Sequence, residues 1–467
     1  MQARPDISTL FSSLDIIVFI IVILMTIGFI LYGHHKHKHS DSDEENYLEL
    51  MLMGRQLTLP LFVMTLVATW YGGIFGVSQM AFDYGIFNFL SQGVFWYATY
   101  IIFALFMIPR IAKYEAMTLP ELTGKMFGEK SRSLAAVMNI LNLVPIVYVI
   151  SLGLLIEMIF GLSFQLSMII GVSFVTLYSL FGGFRAVVFS DLFQFFIMVT
   201  AVIFVCIYSV TKLGVEPLKT LPNTYFHPLG KFTLTETLVW GLIALSTLVD
   251  PNFYQRCFAA ESPRVAKKGI LLATVIWCVF DLSLTFGAIY AKTQIPEAPS
   301  EYGYFYYALQ ILPEGFRGFF LAGITATILS TLDSYLFLAG STFAHDLIPS
   351  SLKNKFKIHH ISLMAVAILS LIMANSFEGN IKAVWKTLGS LSSCALLVPM
   401  VFGMLFPGRL TDNQFFLTSM SGAIVAFVWR YFDFKQTYQL DEIYPGMFIT
   451  IVIILLIQVY KISSSKA

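Results

Sequence analysis

The most regular feature along this chain is a succession of long apolar runs separated by short polar stretches. A bilayer core takes roughly 20 apolar residues per helix. That window predicts thirteen helices, near 14–33, 58–82, 87–109, 133–160, 165–181, 184–211, 233–250, 268–292, 316–345, 357–376, 380–406, 412–432 and 443–462. Several runs exceed one crossing, which leaves length for tilt or for a break. The polar stretches between them are too short for an appended soluble domain. Residues 1–467 therefore read as a single all-α membrane domain whose function sits within the bundle or its connections.

Composition agrees with the pattern: 57% of residues are hydrophobic and 12% charged, with a mean hydropathy of +0.76. Soluble domains carry ~25% charge. A net charge of +1 and the lack of a basic block with interleaved aromatics remove any reason to expect nucleic acid. Cys206, Cys257, Cys278 and Cys394 show neither a CxxC pair nor zinc-ligand spacing and are expected to be free thiols. The first run is too long for a signal-peptide core and lacks a small-x-small cleavage site, so a retained helix is expected. Nineteen of the 29 Lys and Arg, Arg185 and Arg256 among them, fall on one side of the predicted spans. Positive charge is retained in the cytoplasm, which predicts an outside N-terminus and a cytoplasmic C-terminus. The segment 33–46 then becomes a cytoplasmic loop; its His34, His35, His37 and His39 suit either a metal or, more simply, a solvated charged connection.

Ionisable groups inside hydrocarbon are expensive and mark functional positions; here they are Glu157, Asp191, Asp281 and Asp333. Asp191 lies about 9 Å deeper than Arg185 at ~1.5 Å per residue, with Gln194 one turn on. Thr327, Ser330, Thr331 and Ser334 fall at i, i+3, i+4 and i+7, on one helical face. Their hydroxyls offer the oxygen ligands that hard cations take. In the second run, Gly72, Gly73 and Gly76 interrupt an otherwise good span. A broken helix at mid-bilayer frees carbonyls for an ion, and those of Leu66 and Thr69 precede this interruption. A second irregularity is expected around Gly241, with Asp250 and Pro251 closing that helix.

These segments resemble the sodium:solute symporter family, which includes bacterial proline, pantothenate, sialic-acid and sugar transporters. The most specific match is GGFRAVVFSDLFQ (182–194), supported in order by MTLPELTGKMFG (117–128), DPNFYQRCFAAESPRVAKKG (250–269) and ATILSTLDSYLFLAGS (326–341). The resemblance implies a leucine-transporter-like fold of two inverted five-helix repeats (55–211 and 233–406), with one leading helix (14–33) and two trailing ones (412–462). It implies an integral protein of the bacterial plasma membrane that takes up a small organic solute with sodium by alternating access, with no organic cofactor and no enzymatic activity. The implied sodium ligands are Leu66, Thr69, Thr327, Ser330 and Thr331, with Thr327 acting through its carbonyl. A second sodium site would use Asp191, Ser330, Asp333 and Ser334, where Asp333 replaces a serine and also admits a proton as coupling ion. A proton-coupled carrier of this fold and a cation channel are the alternatives. Sugar carriers of the family place Gln and Glu where this chain has Gly73 and Gly93, which argues against a hexose. Helix position suggests Tyr71, Gly72, Gly73, Gln92, Trp96, Asn142, Trp240 and Trp385 as the solute pocket. Asp281 matches no family pattern and is a candidate to neutralise an amine.

Overall fold

The computed structural model describes residues 7, 10–35, 43–180, 183–348 and 355–464. His37 and His39 of the histidine-rich segment and Gly182 of the glycine pair lie outside the described residues. The helices, in chain order, are α1 (Ser13–His35), α2 (Asp43–Leu52), α3 (Leu59–Ala68), α4 (Ile74–Tyr84), α5 (Phe89–Ile111), α6 (Leu119–Phe127), α7 (Glu129–Leu143), α8 (Ile146–Phe160), α9 (Phe164–Ser179) and α10 (Phe184–Leu213). They continue with α11 (Leu234–Ala244), α12 (Pro251–Ala259), α13 (Pro263–Gln294), α14 (Ser300–Ile311), α15 (Phe316–Thr342), α16 (Lys355–Ser376), α17 (Ile381–Leu405), α18 (Asp412–Tyr431) and α19 (Ile443–Ser464). Every predicted apolar run falls on helix, and the only pairing of extended backbone among the described residues is an isolated bridge between Leu57 and Ala260. Nine helical segments among the described residues, with α7 and α8 (Glu129–Phe160) counted as one, are long and apolar enough to cross a membrane by length and composition, and α3 and α9 are shorter apolar helices.

Helix α15 is the axis of the bundle. Its apolar span is buried throughout, whereas most of α1 and α19 faces outward with residues such as Leu24 and Leu455 exposed. A helix apolar on all sides belongs inside, and one bare on its outer face suits contact with lipid. Asp15 ties α1 to the start of α15 by accepting from the Gly315 and Gly318 amides at 2.8 and 3.1 Å. All four cysteines are free.

Three runs are interrupted in a way that matters for the site. The run 133–160 is two helices, because Pro145 has no amide to donate and Val144 before it takes extended backbone (ψ 118°). The run 58–82 is broken between Ala68 and Ile74, as its glycines predicted. In 233–250 the irregularity is a tightened turn at Leu245–Val249, not Gly241, which stays inside α11. Beyond it, Asp250 and Pro251 start a new helix: the Asp250 carboxylate accepts from the Asn252 amide at 2.8 Å and Pro251 occupies the first turn.

Candidate oxygen cage and enclosed cavity

The gap between α3 and α4 exists because glycine lets three neighbours come in against the backbone. A Cβ on Gly72 would sit 2.5 Å from the Thr331 Cβ and 2.6 Å from a Tyr148 ring carbon; one on Gly73 would collide with Trp385, and one on Gly76 would lie 2.6 Å from Ile381. The gap is thereby pressed onto α15. Ser330 donates to the Ala68 carbonyl at 2.7 Å, Thr331 approaches the same oxygen at 3.4 Å, and both hydroxyls lie 3.0–3.2 Å from the Thr327 carbonyl. Ala68, Thr327, Ser330 and Thr331 are completely buried. The Thr327 carbonyl faces both hydroxyls from within α15, while the Thr327 hydroxyl bonds back to Gly323 at 2.7 Å. In place of the Leu66 and Thr69 carbonyls, it is the Ala68 carbonyl that lies against both hydroxyls. Ala68 is the last residue of α3, where the helix ends against α15, and Thr69 turns its hydroxyl back to the Thr65 carbonyl at 2.8 Å. Uncharged, buried oxygens from two helices make a donor set suited to a hard monovalent cation.

One turn further along α15, two of the four residues expected to share a second ion, Asp191 and Ser334, are engaged by an arginine. Arg256 of α12, counted by sequence at the cytoplasmic surface, is 0% exposed and stands among them. Its guanidinium is 3.7 Å from the Asp191 carboxylate and donates to the Thr65 hydroxyl at 3.1 Å and the Ser334 hydroxyl at 3.4 Å; it also bonds the Asn252 side chain. Thr65 donates to Asp191 in turn. Ser330 belongs to the cage above, and Asp333 receives Tyr178 at 3.3 Å while its other oxygen has no partner. Thr65, Asn252 and Arg256 were missed by sequence reading. Arg256 follows a helix-breaking proline and precedes the basic stretch 264–268, a context that reads as interfacial.

Between α4, α5, α8, α11 and α17 lies a cavity of about 130 Å³. Of the residues suggested for the solute pocket, Tyr71, Gln92, Trp96, Asn142 and Trp385 line it. Gly72 and Gly73 instead shape the gap beside it, and Trp240 lies outside the lining, packed against α5 and α17 with the Lys386 ammonium 5.6 Å from its ring centre. Asp281 is held behind the wall by the Tyr97 hydroxyl and is 1% exposed. The acid that does line the cavity is Asp250, together with Ser246, Thr247 and the rings of Trp70, Tyr148 and Tyr335. Ring contacts brace the walls: Trp70 packs edge-on against Tyr100 and Phe253 at 5.5–5.6 Å, Tyr71 stacks on Phe280 at 4.2 Å, and Tyr148 meets Tyr335 at 4.8 Å. Glu157 lies elsewhere, near the end of α8, where it accepts from Tyr302 at 2.8 Å and lines a wider cleft.

A helical membrane bundle in which a broken helix meets buried hydroxyls beside a small cavity has the architecture of a secondary transporter. The chain belongs to the sodium:solute symporter family, whose model matches residues 50–422. It is similar to the sodium/proline symporter of Staphylococcus aureus (25% identical, covering 92% of this chain and 89% of that protein) and to the sodium/pantothenate symporter of Escherichia coli (23%, covering 82% and 83%). Among solved structures it matches a Na+-coupled sialic acid symporter with a TM-score of 0.75 over 96% of each chain; at 16% identity this likeness shows the fold. The protein is thus an integral membrane symporter and not an enzyme, with sodium as coupling ion and a small molecule as cargo.

Proposed function

We propose that this protein carries a small organic solute into a bacterial cell together with one sodium ion, bound by the Ala68 and Thr327 carbonyls and the Ser330 and Thr331 hydroxyls. The observation that carries this reading is the contact of both hydroxyls with the Ala68 carbonyl across the gap. An ion there joins α15 to the broken helix, whose next residues, Tyr71 and Gly72, reach the cavity wall and Thr331 respectively. Ion and solute then stabilise the same closed arrangement, and each raises the other's affinity by the same factor. One ion is enough: ~100 mV contributes about 2.3 kcal/mol and a tenfold sodium gradient about 1.4 kcal/mol. Together these sustain roughly a 500-fold solute gradient. The second sodium position is omitted because Arg256 already engages Asp191 and Ser334.

The architecture proposed with this mechanism is a single domain of thirteen spans, with inverted repeats at 55–211 and 233–406, one leading and two trailing helices, the N-terminus outside and the C-terminus in the cytoplasm. A proton-coupled carrier is the second reading, favoured by the buried Asp333 oxygen that lacks a partner. Uptake into proteoliposomes decides between them. The Ser330→Ala/Thr331→Ala double variant is expected to insert normally and to lose sodium-stimulated uptake altogether. Unchanged sodium dependence in that variant sinks the site, and uptake driven by a pH gradient alone transfers the coupling to a proton.

A further inference from the structure

The electrostatics of the cavity select a chemical class of cargo. Among the described residues, Asp250 is the one formally charged side chain in its lining, and no Lys, Arg or His lines it; the buried Arg256 acts on Asp250 from outside the lining. Asp250 is 8% exposed, at the gap where the tightened turn after α11 gives way to α12. Around the same space stand the rings of Trp70, Trp96, Tyr148, Tyr335 and Trp385. An acid surrounded by electron-rich rings attracts an ammonium group by direct charge and by cation–π contact. An anion without an amine would be desolvated against a carboxylate and aromatic faces with no basic partner, which is unfavourable. The volume, about 130 Å³, is near that of an engineered cavity of ~150 Å³ that admits benzene, so the cargo is compact.

We infer that this symporter takes a compact solute bearing a protonated amine, of amino-acid size, with Asp250 as the counter-ion of that amine. The inference rests on the cavity being the solute site of the symport cycle. It assigns the role that the sequence had offered to Asp281, which lies behind Tyr97. Trp70 and Tyr71, from the gap between α3 and α4, line the cavity on another side.

The helix cap supplies a clean test. Asn caps a helix as well as Asp does, so Asp250→Asn keeps the start of α12 while removing the charge. Purified full-length protein is titrated, in NaCl and in KCl, with pairs of compounds that differ in the amine: L-proline against cyclopentanecarboxylate and L-alanine against propionate, with pantothenate as a larger anion. The readout is thermal stabilisation, which reports binding by mass action, together with competition for uptake in proteoliposomes. Amine-bearing compounds alone are expected to stabilise the wild-type protein, with affinity at least about 30-fold weaker in Asp250→Asn, the range for losing a buried charge partner. Stabilisation by an acid lacking the amine, or unchanged amine affinity in Asp250→Asn, overturns the inference. The two salts separate this from the coupling mechanism: an Asp250-dependent amine bound equally in both supports the cargo class and removes sodium coupling.

Discussion

The gap between α3 and α4 and the gap between α11 and α12 both interrupt an apolar helix beside the same cavity, yet they are built from opposite kinds of residue. The first is made by glycines whose neighbours do the shaping. Neither Gly72 nor Gly73 has a positive φ; what they supply is space, and Thr331, Tyr148 and Trp385 fill it. The second is made by its own side chains, with Asp250 as cap, Pro251 in the first turn and Arg256 anchoring the following helix to Asp191. One gap therefore offers backbone oxygens and the other offers charges. A carrier of an ion and a polar solute needs both kinds of surface, and two differently built gaps supply them without a long loop inside the membrane.

This contrast can be broken at several points. The largest effect is expected at the charged gap. Arg256→Met leaves the buried Asp191 without its cation, and losing one partner of a buried pair costs about 3–5 kcal/mol. Denaturation of the detergent-solubilised protein should show that loss, and adding Asp191→Asn to the same chain should recover part of it. If the single and double variants melt alike, Arg256 is not the partner that holds this gap.

At the glycine gap, Gly72→Ala inserts one methyl against Thr331 and Tyr148 and is expected to destabilise by about 1–3 kcal/mol, as overpacking does. Sodium affinity should fall with it, because the methyl pushes α15 away from Ala68. Wild-type melting together with wild-type sodium affinity would mean the close approach is dispensable.

The smallest effect sharpens the comparison by using the same substitution in α11. A Cβ on Gly241 meets nothing nearer than the Phe95 ring at 3.5 Å. Gly241→Ala should therefore be neutral, or stabilise by up to about 1 kcal/mol through helix propensity. A loss as large as that of Gly72→Ala would restore Gly241 as a hinge.

Much of the candidate site was legible because it depends on local periodicity. The 3.6-residue repeat alone places Thr327, Ser330, Thr331 and Ser334 on one face of α15, and glycine content alone announces the first gap. The identity of the carbonyl was not legible. Which oxygen turns toward Ser330 depends on how the chain leaves α3, and that is decided by contacts of Gly72 with residues 76 and 259 positions away. Trp240 and Asp281 failed as pocket residues for a related reason: a helix position names a depth but not which neighbour the side chain will meet. Arg256 failed because an arginine beyond a proline, just ahead of a basic stretch, carries no local mark of burial.

By itself, then, the sequence determined the membrane bundle, its broken second span and the hydroxyl stripe. In lipid the backbone must satisfy its own hydrogen bonds, which apolar runs of this length do as helices, and hydroxyl spacing follows from helical geometry. Tertiary structure alone decided that Ala68 meets the hydroxyls, that Arg256 turns inward to Asp191, and that Asp250 rather than Asp281 faces the cavity. Those outcomes depend on contacts between segments far apart in the chain. A buried charge stays buried only where another segment brings its partner.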